Sequence, residues 1–246
     1  MIYEEFAAQC CHELTTFQDK LRKTYDIDSY TEWFYDQYTG LLTLSKGDDQ
    51  INFRYVEVGS LSEKSNTWMW AWNNDSILEK ARVTSLKIKD FGKKEGYQKL
   101  IDGFFESDDY DAWEFTAIAL KLLGGQGAYR PYNDQLKKFL ILQDFVDNDT
   151  AAKIKSKYIE CTSHERGRYA FVCKHLLERS GKEFHEAFES SKGMPLEEDE
   201  DFQAWCEICE DAWQRDECWT EDTMADVRIV CETCYFDIKE FYLGHR

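Results

Sequence analysis

Two pairs of cysteines near the C-terminus constrain the fold of this chain more than any other feature. They are Cys206-Glu-Ile-Cys209 and Cys231-Glu-Thr-Cys234, and 21 residues separate them. Two cysteines with two residues between them can bind one metal ion from a single turn, and a second pair completes a tetrahedral thiolate shell. The spacing therefore predicts a structural Zn²⁺ site formed by Cys206, Cys209, Cys231 and Cys234. A closed shell of four protein ligands indicates a role in folding and not in catalysis.

Two other interpretations of these cysteines remain open, namely a redox-active pair and unliganded thiols. The chain has nine cysteines, and its N-terminus shows no signal-peptide pattern. This combination predicts a cytoplasmic protein with reduced thiols, in which metal binding is a better expectation than disulfides. In the same region, residues 227–230 are typical of a short strand and residues 235–242 of a terminal helix.

Four further residues have the types needed for a second metal site. They are Cys161, His164, Cys173 and His175, and a C-x₂-H pair with a C-x-H pair could complete a tetrahedron. However, residues 169–175 alternate as on a strand, which leaves open that His175 is a hydrogen-bonded core histidine. A nucleophilic Cys–His pair is the third interpretation, but no oxyanion hole or orienting acid accompanies it. The sequence therefore indicates no catalytic residue.

The charge of the chain restricts its partners. The net charge is −18 and the isoelectric point is about 4.7, so the surface should repel nucleic acids and anionic membranes and favour a basic protein. No apolar stretch approaches the ~20 residues that span a bilayer. Between Glu197 and Asp222 there are twelve acidic residues and one basic residue, with Trp205, Trp213 and Trp219 among them. This segment is either a binding surface for a cationic partner or a solvated face that only provides solubility.

The first part of the chain has the pattern of an α+β domain. Apolar residues recur at helical spacing over residues 3–25, and from residue 30 they alternate as in antiparallel strands joined by glycine-containing turns. In Thr67-Trp-Met-Trp-Ala-Trp-Asn73, the pattern places Trp68, Trp70 and Trp72 on one face of a strand. These rings either pack in the core or form an aromatic floor that stacks a base or a sugar.

A polar stretch at residues 146–158 divides the chain. We expect an α+β fold with two parts. An antiparallel sheet with packed helices forms residues 1–150, and a small zinc-binding domain forms residues 151–246.

Residues 1–145 resemble an uncharacterised bacterial family. The resemblance rests on the Trp-x-Trp-x-Trp-Asn strand that ends at Asn73 and on the loop Gly127-Ala-Tyr-Arg130. It implies an α+β domain in a bacterial setting and carries no activity with it.

Residues 159–243 resemble a second bacterial family of unknown function. The shared segments are Val172-Cys-Lys-His-Leu176, Trp205-Cys-Glu-Ile-Cys209 and Val230-Cys-Glu-Thr-Cys-Tyr235. The resemblance implies a zinc-ribbon-like module without a known activity. This chain departs from the family in the acidic run over residues 197–201.

The sequence favours a non-enzymatic, acidic protein-binding module. A bacterial immunity protein that neutralises a basic toxin is its concrete form, and the charge, the size and the missing catalytic motifs support it. The alternative is a zinc-stabilised enzyme or a small-ligand-binding protein with a pocket near the Trp-rich strand.

Overall fold

The chain forms two compact units, residues 1–151 and residues 152–246. The computed structural model describes residues 2–77, 79–131, 136–194, 196–197, 200–221, 224 and 226–244. Helices occur together with mainly antiparallel sheets, which confirms the expected α+β class. The boundary between the units falls within helix α5, Asn148–Ser156.

The sheet of the first unit is antiparallel. Its strands are β1 (Glu32–Asp36), β2 (Leu41–Lys46), β3 (Asp49–Ser62), β4 (Thr67–Trp70), β5 (Phe104–Glu106), β6 (Gly127–Tyr129) and β7 (Leu136–Val146). The 14-residue strand β3 is the centre of the sheet. It pairs with β2 through its first half and with β4 through its second half, while β7 follows its other side.

Helices cover this sheet and bury its apolar side chains. They are α1 (Tyr3–Tyr25), α2 (Glu79–Glu95), α3 (Gln98–Ile101) and α4 (Asp109–Leu123). The helical period of residues 3–25 is thus confirmed, and α1 buries Ala7, Cys10 and Leu21. Helix α4 begins where Asp108 accepts a hydrogen bond from the backbone N–H of Asp111 at 2.9 Å, which satisfies a donor of the first turn.

The tryptophan run lies in the core of the first unit. Trp68 and Trp70 are on β4 and are fully buried, whereas Trp72 belongs to a short 3₁₀-helix (Ala71–Asn73) and is 6% exposed. The prediction of three indoles on one strand is therefore wrong for Trp72, because β4 ends at Trp70. The Trp68 ring lies 5.3 Å from the Trp70 ring and 5.4 Å from the Phe139 ring.

The second unit contains a smaller, mixed sheet. Its strands are β8 (Tyr158–Ile159), β9 (Gly167–Cys173), β10 (His185–Glu186), β11 (Gln203–Trp205) and β12 (Val227–Cys231). The order is β10-β11-β9-β12, and β8 also pairs with β9. Strand β11 is parallel to β9, whereas β12 is antiparallel to it. The short strand predicted at residues 227–230 is confirmed as β12.

One face of this second sheet is covered by the terminal helix. Besides the end of α5, the described part of the unit includes the helices α6 (Lys174–Leu177), α7 (Glu207–Asp216) and α8 (Glu232–Leu243), and α8 confirms the predicted terminal helix. Tyr235 and Phe236 of α8 pack with the buried ring of Phe202. The buried side chains of Cys173, Cys206 and Cys209 belong to the same core, so thiols take places that apolar side chains fill in the first unit.

A polar network joins strand β10 to helix α8. The Glu186 carboxylate accepts hydrogen bonds from Lys239 Nζ at 2.7 and 2.8 Å, from Tyr235 Oη at 3.0 Å and from Ser190 Oγ at 2.6 Å. Burial disfavours the charged form of Glu186, but these donors lower its pKa below the ordinary value. The network therefore contains a charged carboxylate with several partners at neutral pH.

Candidate metal centres

Both cysteine pairs lie where a strand passes into a helix. Cys206 directly follows β11 and caps α7, and Cys209 is in the first turn of that helix. Cys231 ends β12 and caps α8, where its sulfur accepts a hydrogen bond from the backbone N–H of Cys234 at 3.4 Å. The positive end of a helix favours a thiolate at this position. The C-x-x-C spacing thus brings two sulfurs together at one helix N-terminus.

The first centre consists of Cys161, His164, Cys231 and Cys234. The Nδ1 atom of His164 lies 3.7 Å from Cys161 Sγ, 3.5 Å from Cys231 Sγ and 3.3 Å from Cys234 Sγ. The sulfurs of Cys161 and Cys234 are 3.8 Å apart. One imidazole nitrogen therefore faces three sulfurs.

The second centre has the same composition, with Cys173, His175, Cys206 and Cys209. The Nδ1 atom of His175 lies 3.6 Å from Cys206 Sγ and 3.4 Å from Cys209 Sγ, and these two sulfurs are 4.0 Å apart. In each centre, the four donor atoms all lie within 4.8 Å of one another.

These separations match a tetrahedral metal site and exclude disulfides. A zinc ion about 2.3 Å from sulfur and about 2.0 Å from nitrogen places two sulfurs about 3.8 Å apart and a sulfur about 3.5 Å from a nitrogen. The seven separations given above run from 3.3 to 4.0 Å, and the other donor pairs lie within 4.8 Å. A disulfide would bring two sulfurs to about 2.05 Å, and the cysteines of both centres are free.

A carboxylate faces the outer nitrogen of each histidine. His164 Nε2 is 3.3 Å from Asp237 Oδ2, and His175 Nε2 is 3.7 Å from Asp226 Oδ2. The Asp226 carboxylate also binds Lys174 Nζ at 2.5 Å. In metal sites, a carboxylate near the outer ring nitrogen of a histidine orients the ring so that its other nitrogen can bind the metal. The sequence analysis missed both aspartates, although Asp237 follows Cys234 by three residues and so lies on the same helix face.

One buried or half-buried thiol in each centre, Cys234 and Cys209, ionises less readily than an ordinary cysteine. Burial and then the neighbouring thiols raise the pKa of Cys209, and burial also leads the causes that raise the pKa of Cys234 to about 12. In contrast, the backbone N–H groups of Ser163 and His164 lower the pKa of Cys161 to about 6. A divalent cation would remove the repulsion between adjacent thiolates, which is the chemistry that these donor sets are suited to.

The structure groups the eight residues differently from the prediction. It brings Cys206 and Cys209 together, and Cys231 and Cys234 together, but the two pairs belong to different centres. The predicted second set is divided in the same way, because Cys161 and His164 lie in the first centre and Cys173 and His175 in the second. All eight predicted residues are used, so the correction concerns their partners.

The directions of the strands explain this grouping. Strand β12 is antiparallel to β9, and its last residue Cys231 pairs with Tyr169, close to the loop that carries Cys161 and His164. Strand β11 is parallel to β9 with Ala204 beside Val172, so Cys206 emerges next to Cys173. Each C-x-x-C pair therefore meets a different end of β9. His175 lies in α6 and not on the strand expected from the alternation.

The indoles of the acidic segment are more accessible than those of the first unit. Trp213 is 41% exposed on α7, and Trp205 and Trp219 are partly buried. Glu198, Asp199 and Asp222 of this segment lie outside the described residues. The buried rings of Trp68, Trp70 and Trp72 offer no open stacking surface, so the structure gives the aromatic floor considered from the sequence no support. Among the described residues, no helix has both the length and the apolar character that crossing a membrane requires.

Comparison with known proteins identifies a family for the first unit. The model of the Family of unknown function (DUF6882) matches residues 4–145. A search of the curated proteins and a search of the solved structures return no match. The matched residues make up more than half of the chain, and the chain belongs to this family.

Proposed function

We propose that this member of a family of unknown function is a non-enzymatic binding protein whose second unit is held together by two structural Zn²⁺ ions. The observation that carries the proposal is the donor set of each centre, three sulfurs and one Nδ1 atom within 4.8 Å of one another. Four protein donors complete the shell of a tetrahedral ion and leave no position for a substrate. The centres therefore suit folding and not catalysis.

The donor types favour zinc over other common divalent cations. Mg²⁺ and Ca²⁺ prefer oxygen ligands, and neither centre includes a carboxylate among its four donors. Thiolates with one imidazole in tetrahedral geometry are typical of structural zinc sites. The aspartates at the outer nitrogens of His164 and His175 support the same assignment, because such carboxylates orient metal-binding histidines.

Metal analysis of the purified full-length chain tests this part. We expect about two zinc ions per chain, one for each cluster of donors. Cys234→Ser and Cys209→Ser should each remove one ion and leave the other. Cys218→Ser is the matched control, because Cys218 is exposed and belongs to neither centre. One ion in the wild type, lost in both variants, would instead favour the grouping of four cysteines, and a folded zinc-free chain would refute the proposal.

The partner that we propose is a basic protein. The net charge of −18 favours such a partner through long-range attraction. Around α7, the acidic side chains of Asp211, Glu217 and Glu221 are exposed, and Trp213 is accessible among them. The basic residue of this segment, Arg215, is paired with Asp216 at 3.1 Å. A bacterial immunity protein that neutralises a basic toxin is the concrete form of this proposal.

Affinity measurements with a captured and then purified basic protein test the partner. We expect the dissociation constant to rise steeply with added salt, because screening weakens charge steering and exposed ion pairs. The double variant Asp211→Asn with Glu221→Gln should weaken binding several-fold. The double variant Glu5→Gln with Glu95→Gln makes the same change of net charge on exposed positions of the first unit and should have a smaller effect. Binding that does not respond to salt would contradict the proposal.

A further inference from the structure

The face of the second sheet opposite the terminal helix carries an apolar groove. The register places Phe171, Gln203 and Ile229 side by side on β9, β11 and β12, and side chains two residues along a strand share a face. This face therefore includes Trp205 and Val227, whereas the residues between them, such as Val172 and Ala204, are buried in the core. A cavity of about 270 Å³ lies here.

The lining of this groove is almost entirely apolar. Phe171, Trp205, Trp219, Met224 and Val227 contribute to its walls, and Gln203 is the polar residue among its described lining residues. Met224 is 54% exposed, and Ile229, on the same face beside Phe171, is 61% exposed. The apolar surface thus extends beyond the cavity, and a small molecule in the cavity would leave Ile229 uncovered.

One wall of the groove is held in place by contacts of Trp205. Its ring meets the Trp219 ring edge to face at 5.3 Å. Its indole N–H donates to Glu210 Oε2 at 2.6 Å, and this hydrogen bond is the main cause that lowers the pKa of Glu210. A charged carboxylate therefore stands next to the aromatic wall, and its hydrogen bond fixes the orientation of the Trp205 ring.

The surroundings of the groove are acidic. Helix α7 carries Glu210 and the exposed Asp211, and Glu221 follows Trp219 by two residues. Arg215 is paired with Asp216, and Lys174 is paired with Asp226. An apolar cavity in a negative field is complementary to an apolar side chain with cationic neighbours.

We propose that this groove, lined by Phe171, Trp205, Trp219, Met224 and Val227, binds one aromatic or aliphatic side chain of a lysine- and arginine-rich segment in the basic partner. The inference rests on the proposed function and adds the place and the chemistry of recognition. The apolar anchor fills the cavity, while the flanking cations lie near Glu210, Asp211 and Glu221. Cys173 and Cys209 also line the cavity, so we expect loss of the second centre to disturb the groove.

Titration of the zinc-loaded full-length chain with synthetic peptides tests the inference. The probe is a short peptide rich in lysine and arginine with one central phenylalanine, and the readout is tryptophan fluorescence confirmed by calorimetry. Replacing the phenylalanine with serine should weaken binding about tenfold or more, since the serine peptide buries no aromatic ring in the cavity. Free indole is the small-molecule probe and should bind much more weakly than the peptide.

Two variants with the same change of charge locate the binding site. Met224→Lys adds a cation to the groove and removes part of its lining, and we expect about tenfold weaker binding of the phenylalanine peptide. Leu177→Lys is the control, because Leu177 is 45% exposed in the same unit but does not line this groove. It should weaken binding less than about threefold, as expected for a remote charge. Zinc content and circular dichroism verify that both variants are folded.

The outcomes separate this inference from the proposed function. Equal binding of the phenylalanine and serine peptides, or equal effects of Met224→Lys and Leu177→Lys, would overturn the proposal that the groove binds the partner. The proposal of a basic partner with salt-dependent binding would still hold. Absence of binding by either peptide would count against both proposals. Indole binding as tight as that of the peptide would show a small-molecule pocket and overturn the peptide assignment.

Discussion

The two units of this chain bury their interiors in different ways. In the first unit, large fully buried side chains such as Trp68, Trp70, Phe115 and Phe139 pack between a sheet and helices. In the second, the buried core includes Cys173, Cys206 and Cys209 and the ends of short strands. We therefore expect the first unit to fold by itself through apolar burial, and the second to depend on metal cross-links between its segments. Each prediction below tests this difference.

Removal of metal should have the largest effect and should affect one unit only. Structural zinc contributes about 10–16 kcal/mol in small zinc modules at neutral pH, which is as large as the whole stability of an ordinary domain. We expect a strong chelator to unfold the second unit and leave the first folded. Limited proteolysis with mass spectrometry should then find cuts in residues 152–246 and protection in residues 2–131.

The control for this experiment is chelation followed by added zinc, which should restore protection of the second unit. Equal protection of both units after complete zinc removal would contradict the comparison. Unfolding of both units together would also contradict it, because the first unit would then depend on the metal centres.

Truncation of a core tryptophan should have the next largest effect, and this effect should be confined to the first unit. Trp68→Ala removes a fully buried indole that packs against Trp70 and Phe139, and we expect a loss of about 3–5 kcal/mol in the first unit. Trp213→Ala is the control, because Trp213 is 41% exposed. Zinc content should be normal in both variants. Urea unfolding checks the expectation, which would be wrong if both variants lost the same stability.

Adding one methyl group to a glycine should destabilise the sheet of the first unit but not the sheet of the second unit. A Cβ at Gly59 would lie 2.5 Å from the Trp68 ring and 2.5 Å from the Met69 carbonyl oxygen, so the strands β3 and β4 would have to move. We expect Gly59→Ala to cost about 1–3 kcal/mol. At Gly167, at the start of β9, the nearest atom would be 3.5 Å away, and Gly167→Ala should be neutral. Thermal unfolding of both variants measures the difference, and equal melting temperatures would contradict it.

Substitutions of two carboxylates, the buried Glu57 and the partly buried Glu186, should show the smallest effects, with opposite signs. Burial raises the pKa of Glu57, and Lys138 at 3.2 Å only partly opposes this. The folded first unit therefore keeps this proton to a higher pH than the unfolded chain, so stability falls as pH rises above 4.5. Glu57→Gln should remove that decline and be neutral or stabilising at pH 7.

Glu186→Gln should destabilise the second unit by about 1 kcal/mol at pH 7, because its carboxylate accepts charge-assisted hydrogen bonds from Lys239. Hydrogen exchange at neutral pH, measured on peptides that cover β3 and β10, compares the two variants. If both variants were stabilised, or both destabilised, the two carboxylates would have similar environments. This difference between the two units would then be absent.

The residues of the two candidate metal centres could be predicted from the sequence, but their grouping could not. Residue type and spacing single out the eight cysteines and histidines, and the structure places all eight in the two centres. The grouping depends on β11 being parallel to β9 and β12 antiparallel to it. Strand direction is set by long-range pairing, and a C-x-x-C motif contains no information about it. The aspartates at His164 and His175 were missed for a similar reason, since acidic residues are common in this chain.

In the first unit, local patterns predicted most of the fold. The helical period gave α1, and the alternation with glycine turns indicated the first strands, where Gly40 and Gly47 have positive φ angles. The tryptophan run was read as a continuous strand, but β4 stops at Trp70 and the chain turns into a 3₁₀-helix. Periodicity could not show this turn, because the close approach of Gly103 to the Asn73 side chain is a tertiary contact.

Strand β9 links the two centres, since the loop before it supplies Cys161 and His164 and its last residue is Cys173. If β12 slipped by one residue along β9, Cys231 would move by about 3.3 Å and point to the other side of the sheet. A metal–sulfur bond tolerates only about 0.2 Å. Ion binding at both ends of β9 would thus be possible in only one register of β9, β11 and β12. A chain with any other register would lose the ion.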